Sequence, residues 1–161
     1  MQKFKRITIE WSYPIEFDRI LQYECMKEIG LYYITRKFGN KESNLYIGKT
    51  TYSFFSRLDC HRWNWLSNYR GKKFVRLGKV ISPKNISDEE LRQLINDAEC
   101  TLIYTMGDRL KKNIVSTLSC NPNYRLKIKN VGYRGDILPE VFISDEDWIE
   151  EVVCEADILV E

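Results

Sequence analysis

Two short runs rich in β-branched and aromatic residues, 30–37 (GLYYITRK) and 44–49 (NLYIGK), flank a Gly39-Asn40 pair, which predicts a β-hairpin. Strand side chains repeat every second residue. Tyr32 and Tyr46 therefore stand opposite one another on one face only if the connection holds an odd number of residues, centred on Gly39. After Thr50 the period changes: Phe54, Phe55, Leu58, His61, Arg62, Trp65 and Leu66 recur at helical spacing, ending before Arg70-Gly71. A third strand is expected over 73–82, stopped by Pro83. Ser87-Asp88-Glu89-Glu90 is a capping box, in which a Ser hydroxyl and a Glu three residues on satisfy the first free amides of a helix. Leu91, Leu94, Ile95, Ala98, Leu102 and Met106 form its apolar stripe; Glu89, Glu90 and Asp97 fall towards the polar side. Glu99 lies on the shoulder of the stripe, where a carboxylate is costly unless paired, hydrogen-bonded or holding a metal. Beyond Asn113 the pattern suggests a short helix, strand-like segments around 124–131 and 140–143, and an acidic end in which Trp148, Val152, Val153 and Ile158 would pack inward.

Composition narrows the class. A chain of 161 residues, 43% hydrophobic and 30% charged, is the size of one domain, and eight Gly with four Pro exclude a collagenous or low-complexity chain. No window approaches a membrane span, and the basic start MQKFKRITIEWSYP lacks the apolar run of a signal peptide, so a cytoplasmic protein without a membrane partner is expected. Five scattered cysteines without a CxxC pair read as reduced, mostly buried thiols.

The net charge of +2 conceals segregation. Residues 49–79 carry eight basic residues against Asp59 alone, and residues 135–161 carry ten acidic residues and no Lys or Arg. In the basic segment, Tyr52, Phe54, Phe55, Trp63, Trp65, Tyr69 and Phe74 lie among the cations, a mixture suited to phosphate backbones and exposed bases, although core packing also claims aromatic rings. Lys49, Arg62, Arg70, Lys72 and Lys73 are the expected nucleic-acid contacts.

Gly48-Lys49-Thr50 has the ending of a phosphate-binding P-loop, but the pattern needs Gly at position 43, which is Ser43. Arg57 and His61, the only histidine, are i and i+4 on the expected helix and so share a face. A guanidinium and an imidazole beside two strand tyrosines make an anion-binding and proton-handling set.

Gly30-Leu31-Tyr32, Tyr46-Ile47-Gly48 continuing into Lys49-Thr50, Arg57-Leu58 with His61, then Glu99 and Asn113, resemble the GIY-YIG nuclease family over residues 30–115. Leu31 stands where isoleucine is usual, and the 13 residues between Tyr32 and Tyr46 exceed the common spacing, which suggests an enlarged hairpin loop. The resemblance implies a mixed α/β fold of the α+β type: a small central antiparallel sheet of about three strands flanked by helices. Residues 1–29 and 116–161 would then be extensions of a single domain. It also implies a DNA endonuclease dependent on Mg²⁺ or Mn²⁺, with Tyr32, Tyr46, Arg57, His61, Glu99 and Asn113 as site residues. A lone carboxylate, Glu99, suits one hard divalent ion whose shell is completed by water and phosphate. Arg57 would offset charge on the scissile phosphate. Tyr32 is the expected base, provided that its basic surroundings favour phenolate; Tyr46 would orient the water or phosphate, and His61 would assist proton transfer or positioning. Asn113 would hold neighbouring groups. Cutting both strands would call for a homodimer or successive nicks. The competing reading is a non-catalytic nucleic-acid-binding module of the same fold.

Overall fold

In the computed structural model, which describes residues 4–20, 22–23, 27–81, 85–110 and 122–144, the alternating run Lys5–Trp11 is a strand, β1. Ile7, Ile9 and Trp11 are buried on one of its faces, each worth about 1.5–3 kcal/mol of apolar burial. Two-residue β2 (Ile15–Glu16) and one-turn α1 (Phe17–Ile20) follow, then the hairpin of β3 (Gly30–Phe38) and β4 (Lys41–Thr50). Helix α2 (Phe54–Asn64) and a 3-10 turn at Leu66–Asn68 lead to β5 (Lys72–Ile81), and α3 (Asp88–Met106) is followed by β6 (Leu126–Gly132) and β7 (Glu140–Phe142).

Among the described residues these strands make one seven-stranded sheet in the order β4-β3-β5-β1-β6-β7, with β2 also paired to β5. All pairs are antiparallel except β1 with β6. This corrects the expectation of a small three-stranded sheet: β1 enters between β5 and β6, so residues read as extensions supply interior strands. The β1–β5 register sets Trp11 against Gly78, and a Cβ at that glycine would meet the indole at 2.8 Å. Trp11 Nε1 donates to Asn130 Oδ1 at 2.9 Å, tying β1 to β6.

The sheet is covered on both faces. Helix α3 packs Leu94, Ile95, Ala98 and Leu102 against Ile7, Ile9, Leu31, Tyr33 and Ile47. On the other face α1 and α2 bring Phe17, Ile20, Phe54 and Leu58 against Tyr32, Ile34, Leu45, Val75 and Leu77. Ser87 Oγ accepts from the Glu90 amide at 3.1 Å, the cap read from the sequence. Asp97 differs from its expected polar position. It is buried, and its carboxylate accepts from the amides of Asn123 and Tyr124 at 3.0 and 3.1 Å and from Gln93 at 3.0 Å, pinning the approach to β6 against α3. Of the cysteines read as reduced and mostly buried, Cys60 is exposed and Cys100 is held in a disulfide. Among the described residues no helix is long and apolar enough to cross a membrane.

Candidate active site

The hairpin turns on two residues, not on an enlarged loop. Phe38 pairs with Lys41, and Gly39 has φ 63°, as the first central position of a type II′ turn requires. The extra residues lengthen the strands instead. With an even connection, unbroken pairing would set Tyr46 opposite Tyr33, on the wrong face. A bulge corrects this: Thr35 pairs with Asn44 but Ile34 pairs with Tyr46, leaving Leu45 as the extra residue. Tyr46 thus joins Tyr32 on the α2 face without standing opposite it; the partner of Tyr32 is Gly48. The two phenol rings stack at 6.0 Å between centroids, 21° apart.

Both motif glycines have steric reasons. A Cβ on Gly48 would lie 2.3 Å from the Tyr32 hydroxyl oxygen and 2.5 Å from Tyr46 Cε1. At Gly30 it would lie 2.5 Å from the Gly78 carbonyl oxygen, where β3 and β5 approach closely.

Helix α2 starts at Ser53, whose side chain accepts from the Ser56 amide, and its Leu58 is buried while Arg57 stays exposed beside both tyrosines. His61, one turn on, is buried, with Nε2 2.6 Å from the Tyr32 hydroxyl. The indole Nε1 of Trp65 donates to His61 Nδ1 at 2.7 Å. From the α3 side, Glu99 reaches the edge strand β4: Lys49 Nζ stands 3.6 Å from Glu99 Oε2 and donates to Asn96 Oδ1. Tyr32, Tyr46, Arg57, His61 and Glu99 therefore converge from four elements around the edge of the sheet.

Burial dominates the protonation states. It pushes the Tyr32 phenol far above the ordinary tyrosine range, reinforced by Tyr46 and outweighing Arg57. Tyr46 is raised too, by burial and then by the Glu99 carboxylate. The expectation that basic surroundings favour phenolate at Tyr32 does not hold, because burial outweighs the Arg57 charge. Burial, aided by the Arg57 charge, holds His61 down to about 4, so the imidazole is neutral at pH 7. Burial alone would lower Arg57, but the phenol oxygens of Tyr32 and Tyr46 raise it above its ordinary value. Glu99 is raised by burial against the opposing pull of Lys49 and Arg57.

The other expected contacts divide. Lys49 is a member of the site, engaged with Asn96 and Glu99. Arg70 and Lys72 are exposed and Lys73 is half-buried near the start of β5. The Arg62 side chain and Asn113 lie outside the described residues, as do the expected helix after Asn113 and the acidic end. Trp65 and Asn96 were not foreseen as site residues. The signals were their spacings, Trp65 four residues after His61 and Asn96 three before Glu99, which place each on the face of its partner. Phe55, read as part of the apolar helix face, is exposed, as is Tyr52.

A cavity of about 360 Å³ lies apart, lined by Glu16, Asp18, Leu66, Ser67, Lys72 and Lys73. It contains none of the five converging residues. Among the described residues no group of three or more His, Cys, Asp or Glu side chains gathers as a metal cage. No family model, curated protein or solved structure matches the chain.

Proposed function

We propose that the chain is a divalent-metal-dependent DNA endonuclease acting through a GIY-YIG-type site. The observation that carries this reading is the convergence of Tyr32, Tyr46, Arg57, His61 and Glu99, five chemically complementary groups drawn from β3, β4, α2 and α3. Phosphodiester hydrolysis needs a cation for the phosphate, a proton acceptor for water and charge stabilisation on the scissile group.

Glu99 fits a Mg²⁺ or Mn²⁺ ion held by one protein carboxylate and completed by water and substrate oxygens. Its neighbour Lys49 stands at 3.6 Å, beyond the roughly 2.8 Å of a charge-assisted bond, so the carboxylate still has lone pairs to offer. Such an ion, when bound, stabilises negative charge on the phosphoryl oxygens. Arg57 grips the scissile phosphate from the exposed start of α2. Of the two phenols, Tyr32 has no exposed surface, whereas Tyr46 is half-buried and open to solvent. Water activation therefore belongs to Tyr46 rather than to Tyr32. In its phenolate form Tyr46 takes a proton from the attacking water, the new P–O bond forms, and the opposite P–O bond breaks to leave a phosphate end and an alkoxide that takes a proton from solvent to become the hydroxyl end.

The surroundings suit a polyanion. Arg36 pairs across the sheet with Lys73, two like charges directly opposite one another on the face that carries the tyrosines. Arg36 lies over the Tyr69 ring at 5.3 Å, on the same face as the tyrosines. Exposed Tyr52 and Phe55, at the start of α2, offer rings for base stacking.

The test compares wild type and Glu99→Gln on supercoiled plasmid, single-stranded, flapped and branched DNA, with Mg²⁺, Mn²⁺ or EDTA. Metal-dependent cutting that disappears in the variant, with DNA binding retained, is expected. Salt-sensitive binding by a folded wild type that cuts none of these substrates would replace the nuclease reading by the binding-module one.

A further inference from the structure

We propose that Trp65 is a positioning residue: its indole N–H fixes the tautomer of His61, and thereby directs a hydrogen bond from His61 Nε2 to the Tyr32 oxygen. The tautomer stands independently of the nuclease reading, while its effect on cleavage rests on that reading.

An indole N–H can only donate. At 2.7 Å from Trp65 Nε1, His61 Nδ1 must present its lone pair, so a neutral ring carries its single hydrogen on Nε2. That nitrogen is 2.6 Å from the Tyr32 oxygen, which becomes the acceptor. The reverse polarity, with Tyr32 donating into Nε2, would put a hydrogen on Nδ1 and aim two hydrogens at each other across the Trp65 contact. A doubly protonated ring meets the same clash.

The indole is itself well held. Trp65 leaves the helical conformation at the end of α2, with φ −146° and ψ −27°, while its backbone N–H still donates to the His61 carbonyl at 3.2 Å. The rings of Tyr46 and Tyr69 flank it, at 5.7 and 5.8 Å between centroids.

This arrangement gives the row of polar groups one direction. His61 cannot accept the Tyr32 proton, so it is excluded as that residue's base; it stabilises electron density on the Tyr32 oxygen. Arg57 is likewise only a donor to that oxygen. The hydrogen of Tyr32 is then directed away from His61 and Arg57, on the side where the Tyr46 ring stacks against it. Trp65 and His61 are then successive donors ending on the Tyr32 oxygen, beside the phenol of Tyr46 that opens to solvent.

His61 is the only histidine, so a chain with ¹⁵N-labelled imidazole yields one pair of ring-nitrogen resonances in a long-range ¹H–¹⁵N spectrum. At pH 7 the wild type should show a protonated Nε2 and a bare Nδ1. Trp65→Phe keeps a ring between Tyr46 and Tyr69 but removes the donor. It should populate the Nδ1–H tautomer and lower kcat about tenfold with little change in KM. Tyr32→Phe, which removes the acceptor and leaves Trp65, should keep Nε2 protonated, and this variant decides the question if Trp65→Phe fails to fold. A wild type protonated on Nδ1, a Trp65→Phe protein still wholly Nε2–H, or a tautomer that redistributes in Tyr32→Phe would overturn the proposal. The expected spectra from a wild type that cuts no DNA would sink the nuclease reading and leave the tautomer assignment standing.

Discussion

The phenol of Tyr32 lies across Gly48, its partner in the β3–β4 ladder, so closely that a methyl group at position 48 would sit 2.3 Å from the hydroxyl oxygen. The glycine thus defines the floor of the site. Gly48→Ala should push the Tyr32 ring towards His61 and Tyr46, costing about 1–3 kcal/mol of stability through overpacking. Cleavage should fall by more than the folded fraction does. Urea unfolding beside cleavage assays at full folding separates the two losses, and a variant with wild-type turnover would contradict this account of the glycine.

If Tyr46 is the base, its raised phenol implies a rate that climbs with pH. A base titrating above the assay range is deprotonated in a fraction that grows tenfold per pH unit, so kcat/KM should rise about tenfold per unit between roughly pH 6.5 and 9. Tyr46→Phe should abolish that slope, whereas Tyr32→Phe should lower the rate and keep it. His61 titrates near 4 and adds no limb in this range. A limb near pH 6.5 that His61→Gln removes would return the proton-accepting role to the imidazole.

The same imidazole couples folding to acid. It takes a proton near pH 6.5 in the unfolded chain but only near 4 when folded, so between these values the unfolded state binds more protons. Its contribution is present above about pH 6.5 and is lost as the pH falls towards 4, with a full span of roughly 3 kcal/mol. Urea midpoints at pH 4.5 and 7 should differ more for wild type than for His61→Gln. Equal differences would mean that His61 is protonated as readily in the fold as outside it.

The cross-strand pair Arg36–Lys73 predicts a salt effect. If Lys73 meets a phosphate, Lys73→Ala should weaken DNA binding across sequences and reduce the slope of log K against log salt by about 0.9 for duplex DNA. An unchanged slope measured by anisotropy titration would assign Lys73 to the solvated surface.

The parts legible in the sequence are those governed by neighbouring residues. Helix α3 announced itself through Ser87, Glu90 and the stripe from Leu91 to Met106, because cap and period are local. Arg57 and His61 were placed together by a spacing of four. The breadth of the sheet was not legible, since pairing of β1 with β5 and β6 joins residues about 70 and 120 positions apart, and a period-two run such as KRITIEW does not name its neighbours. Asp97 looked solvent-facing because its partners, the amides of Asn123 and Tyr124, belong to a distant segment. Tyr32 was a reasonable base by motif and a poor one by burial; only packing distinguishes it from Tyr46, two positions from its cross-strand partner.

The bulge at Leu45 makes the hairpin a device with parity. Tyr46 sits on the working face because one unpaired residue offsets an even turn. Removing a single residue between Gly39 and Leu45 without closing the bulge would send one strand's chemistry to the α3 side. Adding residues in matched pairs beyond Thr35 and Asn44 would leave it untouched. The outer arms of β3 and β4 can therefore grow or shrink in steps of two, a reach that sets how far the ribbon projects while Tyr32 and Tyr46 at its base stay in register.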